Sequence, residues 1–298
     1  MIEIKENVKL APYTSWLIGG SADYLCFPTN VDELKEAWLW ALKQKLSVTF
    51  MGGGTNVLIA DKGIRGLTIS LRKFSSVQVL EEKNEIHIHC LSGTAKSEIL
   101  KVFLKYQLPA ALFLAGLPGD VGGGIVMNAG VSEPFVPKEF GEIVHSFTVL
   151  RRLDNSFEEV EFQHSELNWQ YRHCNGWQPG VIIKAKLKYS SNKDSEILKK
   201  VKEANRNRLS KQPLDMPSCG SVFINPPGHR AAQLIQSCGL KGQRIGEAEV
   251  SQKHCNFIVN LGQATAQDTW DLMMKVQSTV FQQTGVQMQT EVVRLGDW

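Results

Sequence analysis

From residue 29 onward the apolar positions fall into helix and strand spacings. Val31, Leu34, Ala37, Trp38, Ala41 and Leu42 recur at three- and four-residue intervals behind Asn30, with Glu33 three residues after it. That pattern predicts a capped helix running into a strand over 48–50. Strands are expected at 67–71 and 181–189, and hairpins over 77–90, turning at Lys83-Asn84, and 147–162, turning at Asp154-Asn155-Ser156. Helices are expected at 97–107, 194–209, 230–238 and 267–283, the last striped by Trp270, Met273, Met274, Val280 and Phe281 as core and stopped by Gly285. Near the end, Gln287, Gln289 and Glu291 alternate with Met288 and Val292, so Glu291 falls on a polar strand face, either simply exposed or available to a site. His87 and His89 share a strand face, but no third ligand lies nearby, so a solvated face is expected and no metal site.

Three stretches break this periodicity. Met51-Gly52-Gly53-Gly54-Thr55-Asn56-Val57 follows a strand directly, leaving backbone N–H groups open to a phosphate with no side chain in the way. The spacing is not a Rossmann fingerprint, because Val57 stands where a third glycine belongs, and the lysine of a P-loop is missing. The second stretch, 114–130, carries Gly116, Pro118, Gly119, Asp120, Gly122, Gly123, Gly124, Asn128 and Gly130. So many glycines would build a core poorly; they suit a backbone that must approach a flat or phosphorylated ligand. Either stretch alone could be a flexible turn, whereas the pair suggests a large nucleotide cofactor. The third, Pro217-Ser218-Cys219-Gly220-Ser221-Val222-Phe223-Ile224-Asn225-Pro226-Pro227-Gly228, is stiffened at both ends and holds a thiol, a hydroxyl and an amide. Its alternation predicts a short extended segment with Ser221 and Asn225 on one face.

Composition narrows the classes. The 298 residues, 43% hydrophobic and 21% charged, suffice for two or three domains with full cores. A net charge of +3 is too small to argue for nucleic acid, although Lys199, Lys200, Lys202, Arg206, Arg208 and Lys211 make one helix basic, either as a solvated face or to draw in an anion. A domain boundary is expected near 207–216. The amino-terminal segment from Met1 lacks a signal-peptide pattern, and the longest apolar run is broken by Pro109 and Gly116, so no membrane span is expected and the protein reads as cytoplasmic. Cysteines 26, 90, 174, 219, 238 and 255 form no CxxC pair and are expected to be reduced.

Taken together, Ile18-Gly19-Gly20, the two glycine stretches, Asn128-Ala129-Gly130, Tyr171-Arg172, the Ser221 stretch, Gly239-Leu240-Lys241-Gly242 and Glu291-Val292 resemble, in order and spacing, the UDP-N-acetylenolpyruvoylglucosamine reductases (UDP-N-acetylmuramate dehydrogenases). The short passage from Arg172 to the strand at 181 is similar to the subtype lacking an extra substrate-covering loop. The resemblance implies an α+β, vanillyl-alcohol-oxidase-like FAD fold, with FAD-binding subdomains at 1–70 and 71–208 and a substrate domain at 209–298. It implies NADPH-dependent reduction of an enolpyruvyl UDP-sugar through FAD, in peptidoglycan precursor synthesis. Its partners would be small molecules, with no nucleic acid and no membrane, and the protein a monomer.

Carried over by position, Ser221 matches the proton donor, and Arg172 and Glu291 the other catalytic residues. Tyr171, Lys211 and Asn225 match substrate contacts. Gly52, Gly53, Gly54, Thr55, Asn56, Gly116, Pro118, Gly119, Gly122, Gly123 and Asn128 match the cofactor-binding segments. Three departures stand out: Asp120 where the family has a small residue, Val131-Ser132-Glu133-Pro134-Phe135 after Gly130, and the entry Pro12-Tyr13-Thr14-Ser15-Trp16. A carboxylate beside a diphosphate is unfavourable, so Asp120 is expected to turn away or to cap a helix. Other readings are another oxidoreductase of the same fold or a non-redox nucleotide-sugar-binding module. Thiol catalysis by Cys219 is disfavoured because no histidine stands in motif position to activate it.

Overall fold

The structure is a computed structural model that describes residues 2–298 apart from 155 and 191. Met1 and the middle residue of the expected 154–156 turn, Asn155, therefore lie outside the described residues. The chain forms two compact units. The first holds the chain as far as Ile4, then Cys26–Gly53 and Ile69–Asn207; the second holds Lys5–Leu25, Gly54–Thr68 and Arg208–Trp298. The second unit thus draws on both the expected 1–70 and 209–298 segments.

The first unit is built on a five-stranded antiparallel sheet. Its strands run in the order Val77–Glu82, Glu85–Leu91, Val181–Ser190, Val144–Leu153 and Ser156–Gln163. The central strand joins the two expected hairpins, with Ala185 opposite Cys90 on one side and Phe147 on the other. Period-2 alternation decides which face is covered: Ile86, Ile88 and Cys90 are buried while His87 and His89 stay half-exposed. The helix Lys96–Lys105 contributes Ile99 and Phe103 to the core under this face, together with Phe113, Val121, Ile125, Phe140 and Trp177. The helix Val31–Lys43 is capped as its sequence predicts, Asn30 Oδ1 accepting the Glu33 N–H at 2.9 Å.

One expectation is corrected here. The glycine-rich 114–130 stretch does build core: Gly122, Gly124, Val121 and Ile125 are buried in a short helix, Val121–Val126. A β-carbon on Gly124 would lie 2.8 Å from the Phe140 ring and 2.9 Å from Lys96 Cε. Glycine there lets two large side chains approach the helix backbone.

In the second unit, the strand Ala248–Val250 pairs antiparallel with Arg244–Ile245 and Ile258–Asn260. The helix Ala266–Thr284 packs Leu272, Met273, Val276 and Val280 into a core with Trp16, Leu58, Val222, Phe223 and Ile235. Phe281 belonged to the expected stripe but faces solvent, and Trp270 and Met274 sit at the edge of this core. A Thr265–Asp268 capping box starts that helix, the carboxylate of Asp61 accepts the next two amides, Ala266 at 2.8 Å and Gln267 at 3.0 Å, and Gly285 at φ 72° ends it. The strand Val293–Leu295 runs parallel to Val57–Ile59. All six cysteines are free thiols, and no helix among the described residues is long and apolar enough to cross a membrane.

Candidate active site

In the first unit the two glycine stretches meet. The strand Val48–Met51 delivers Gly52 and Gly53 to Asp120, whose carboxylate accepts the Gly53 N–H and, at 2.6 Å, the Gly123 N–H. Asp120 thereby caps the Val121–Val126 helix, as its position in the sequence suggested. Gly53 O accepts from Arg72 Nη2 at 2.8 Å. The other backbone groups of the second stretch are largely committed within the fold: Gly119 O accepts the Lys96 N–H at 2.9 Å, and the Gly122 N–H donates to Ser92 O at 2.7 Å. Gly116 and Gly119 both turn at positive φ, 82° and 90°.

Beneath this loop lies a residue the sequence did not single out. Lys96 is buried, its Nζ donating to Pro118 O at 2.9 Å and lying 5.4 Å from the Phe140 ring centre. Burial pulls its ammonium down to about 8, with the Asp120 charge opposing the shift and Arg172 adding to it. Because this lies below the ordinary 10.5, the unfolded chain binds the proton more strongly between the two values. The stability contributed by Lys96 is therefore lowest below pH 8 and rises towards pH 10.5. Urea unfolding of the wild type should gain up to about 1.4 kcal/mol per pH unit relative to Lys96→Met across that window, and parallel pH profiles would refute the assignment.

Arg172 sits in the first unit at the turn between the short strands Asn168–Gln170 and His173–Asn175, at φ 61°. Its guanidinium lies 4.5 Å from the centre of the half-exposed Tyr171 ring, donates to Gly130 O at 3.0 Å and reaches within 3.8 Å of Glu139. Asn128 ties this turn down. Its side-chain amide donates to Glu139 Oε2 at 2.9 Å and Gln170 O at 3.0 Å, and its Oδ1 accepts the Gly141 N–H at 2.9 Å. Asn128 thus acts through its neighbours to hold the arginine's loop, and Glu139 is a carboxylate partner that sequence reasoning missed.

In the second unit, Ser221 begins a segment clamped from both sides. Val222 N–H donates to Asn256 O at 2.8 Å, while the Asn256 side chain accepts from Phe223 N–H at 3.0 Å and donates to Phe223 O at 2.8 Å. On the other side, Glu291 N–H donates to Val222 O at 2.8 Å and Ile224 N–H to Gln289 O at 2.9 Å. Val222 and Phe223 are both buried in the core, while Ser221 and Asn225 remain partly accessible. Asn225 Oδ1 accepts the Ala231 N–H at 2.9 Å and so starts the helix Ala231–Ser237. Lys211 is exposed at the end of the helix Ile197–Lys211. The later residues of the first glycine stretch belong to this second unit. Gly54, at φ 69°, packs so closely that a β-carbon would lie 2.0 Å from Tyr13 O; Thr55 follows, and Asn56 Nδ2 donates to Glu291 O at 2.9 Å. Burial, with the Glu291 charge second, holds the Cys219 thiol well above its ordinary value, which leaves it without nucleophilic character. Among the described residues no cluster of three or more potential metal ligands occurs.

A family profile described as UDP-N-acetylenolpyruvoylglucosamine reductase, C-terminal domain, matches residues 212–295, and one described as FAD binding domain matches 22–153. The chain is 38% identical over 297 residues to the UDP-N-acetylenolpyruvoylglucosamine reductase of Pediococcus pentosaceus, covering 99% of this chain and 95% of that one. It is 35% identical over 296 residues to that of Prochlorococcus marinus, at 99% of each chain. The fold is similar to the crystal structure of UDP-N-acetylenolpyruvylglucosamine reductase from Thermus caldophilus, with a TM-score of 0.77, 28% identity and 99% of each chain covered. These likenesses define an FAD-dependent oxidoreductase with an α+β fold. Within that class, the chain belongs to the UDP-N-acetylenolpyruvoylglucosamine reductase family.

Proposed function

We propose that this protein reduces the enolpyruvyl ether of UDP-N-acetylglucosamine enolpyruvate to the lactyl ether of UDP-N-acetylmuramate, with NADPH as reductant. One observation carries the reading. The Ser221 segment is hydrogen-bonded to the Glu291 segment at 2.8 Å, and Glu291 is bonded in turn to Asn56 of the glycine turn at 2.9 Å. The backbone beside Ser221 is thus tied to that of Glu291, and the Glu291 carbonyl to the Asn56 side chain, which supports a site that draws on these three segments of the second unit.

FAD, if held by the glycine segments, would supply the hydride chemistry that links NADPH to the terminal vinyl carbon. The chain's own residues manage charge and one proton. Amides of the kind that hold the Asp120 carboxylate, Gly53 and Gly123, are suited to a diphosphate oxygen, which supports the two glycine segments as the FAD-holding residues. Addition at the vinyl carbon builds negative charge on the carbon bearing the carboxylate. The Arg172 guanidinium, held by Gly130 O and Glu139, is a two-pronged cation of the kind that stabilises such charge. Ser221 Oγ gives the proton to that carbon; an enolate is basic enough to take it from a hydroxyl held in a rigid segment. Glu291 orients the site, while Tyr171, Lys211 and Asn225 contact the nucleotide sugar. The protein acts as a cytoplasmic monomer, which size-exclusion chromatography with light scattering tests.

Purified protein should be yellow, and NADPH should bleach it. NADPH consumption should rise on adding UDP-N-acetylglucosamine enolpyruvate, with UDP-N-acetylmuramate appearing in equal amount. A protein that neither carries nor takes up flavin rejects the reading in favour of a non-redox binding module.

A further inference from the structure

The reading of the glycine segments as the FAD-holding residues leaves Asp120 unexplained, since it places an anion where a diphosphate belongs. Resting on that reading, we propose that Asp120 sets how tightly the protein holds a dinucleotide, because its carboxylate competes with the diphosphate for the N–H groups of Gly53 and Gly123. Both amides already donate to this one side chain, which is only 5% exposed. The carboxylate lies directly against the glycine turn: a β-carbon on Gly52 would fall 2.3 Å from Asp120 Oδ2, and one on Gly123 3.1 Å from Oδ1. An incoming diphosphate oxygen therefore meets donors that are engaged, and a like charge beside them.

The fold does not need that charge. Serine, threonine and asparagine cap helices about as well as aspartate, so capping the Val121–Val126 helix requires only an acceptor. Besides Arg72, bonded to Gly53 O at 2.8 Å, the ionic neighbour of the loop is buried Lys96, anchored on Pro118 O at 2.9 Å. Its charge is opposite to that of Asp120 and lowers the cost of keeping a carboxylate in this loop. Aspartate thus adds to the cap a negative charge that an arriving diphosphate must displace or tolerate. Two like charges near a protein surface repel enough to change an affinity by about ten- to a hundredfold.

The test titrates FAD-stripped protein with FAD, following flavin fluorescence, for the wild type, Asp120→Ser and Asp120→Asn. Both variants should bind FAD about tenfold or more tightly than the wild type. ADP, which shares the diphosphate, should gain by a similar factor as a competitor, whereas riboflavin, which lacks it, should gain nothing. Thermal melting of the stripped proteins within a few degrees of one another would show that the cap survives. Unchanged or weaker FAD binding by two well-folded variants would overturn the proposal and leave Asp120 a cap, with the FAD reading intact. An equal gain for riboflavin would also overturn it, because the effect would then not act on the diphosphate. Failure of all three proteins to take up FAD would instead remove the FAD reading, and the proposal with it.

Discussion

Ser221→Ala should leave NADPH bleaching of the yellow protein at its normal rate, yet slow the return of colour with enolpyruvyl substrate by about a hundredfold to ten-thousandfold. The split follows from where the hydroxyl stands. Ser221 opens a segment whose backbone is fixed on one side by Asn256 and on the other by Gln289 and Glu291, so removing its Oγ leaves those bonds intact. NADPH oxidation needs no proton on a substrate carbon and should not register the change; the second half-reaction should. Cys219, two residues away, is no substitute donor, since its thiol is buried in the core. Stopped-flow absorbance resolves the two half-reactions, and normal reoxidation of the variant would remove Ser221 from the chemistry.

Asn256→Leu should be the most damaging single change to the site's framework. The Asn256 side chain satisfies both the N–H and the C=O of Phe223, at 3.0 and 2.8 Å, in a place where Phe223 is 2% exposed. Leucine fills a similar volume but offers neither partner, so two buried backbone groups lose their bonds at about 1–3 kcal/mol each. A loss of about 2–6 kcal/mol in urea unfolding is expected, together with slower reoxidation as Ser221 drifts. Asn256→Asp restores the acceptor for the Phe223 N–H and should recover part of the loss. A penalty below about 1 kcal/mol for leucine would mean that the segment holds itself.

Local physics made much of this fold legible in the chain. The Asn30 cap, the buried Ile86, Ile88 and Cys90, the Gly285 stop and the capping role of Asp120 each depend on residues within a few positions of one another. The alternation of Gln287 and Gln289 with buried Met288 was readable for the same reason. Long-range partners were not readable. Nothing near Phe223 announces Asn256, and Lys96 looks like an ordinary helix lysine until the fold buries it against Pro118 and Phe140. That the core takes Val222 and Phe223 together was not readable either, a choice made by the neighbours and not by the segment. Glu139 escaped notice because its link to Arg172 closes only when two loops meet.

The way the two units interleave along the chain bears on how the protein is made. A growing polypeptide that has passed residue 207 already contains every segment of the first unit, whereas most of the second is still to come. Strand Val57–Ile59 must then wait for Val293–Leu295, its parallel neighbour, to leave the ribosome. Early strands left so long without a mate are the stretches most exposed to chaperones and to mispairing during synthesis.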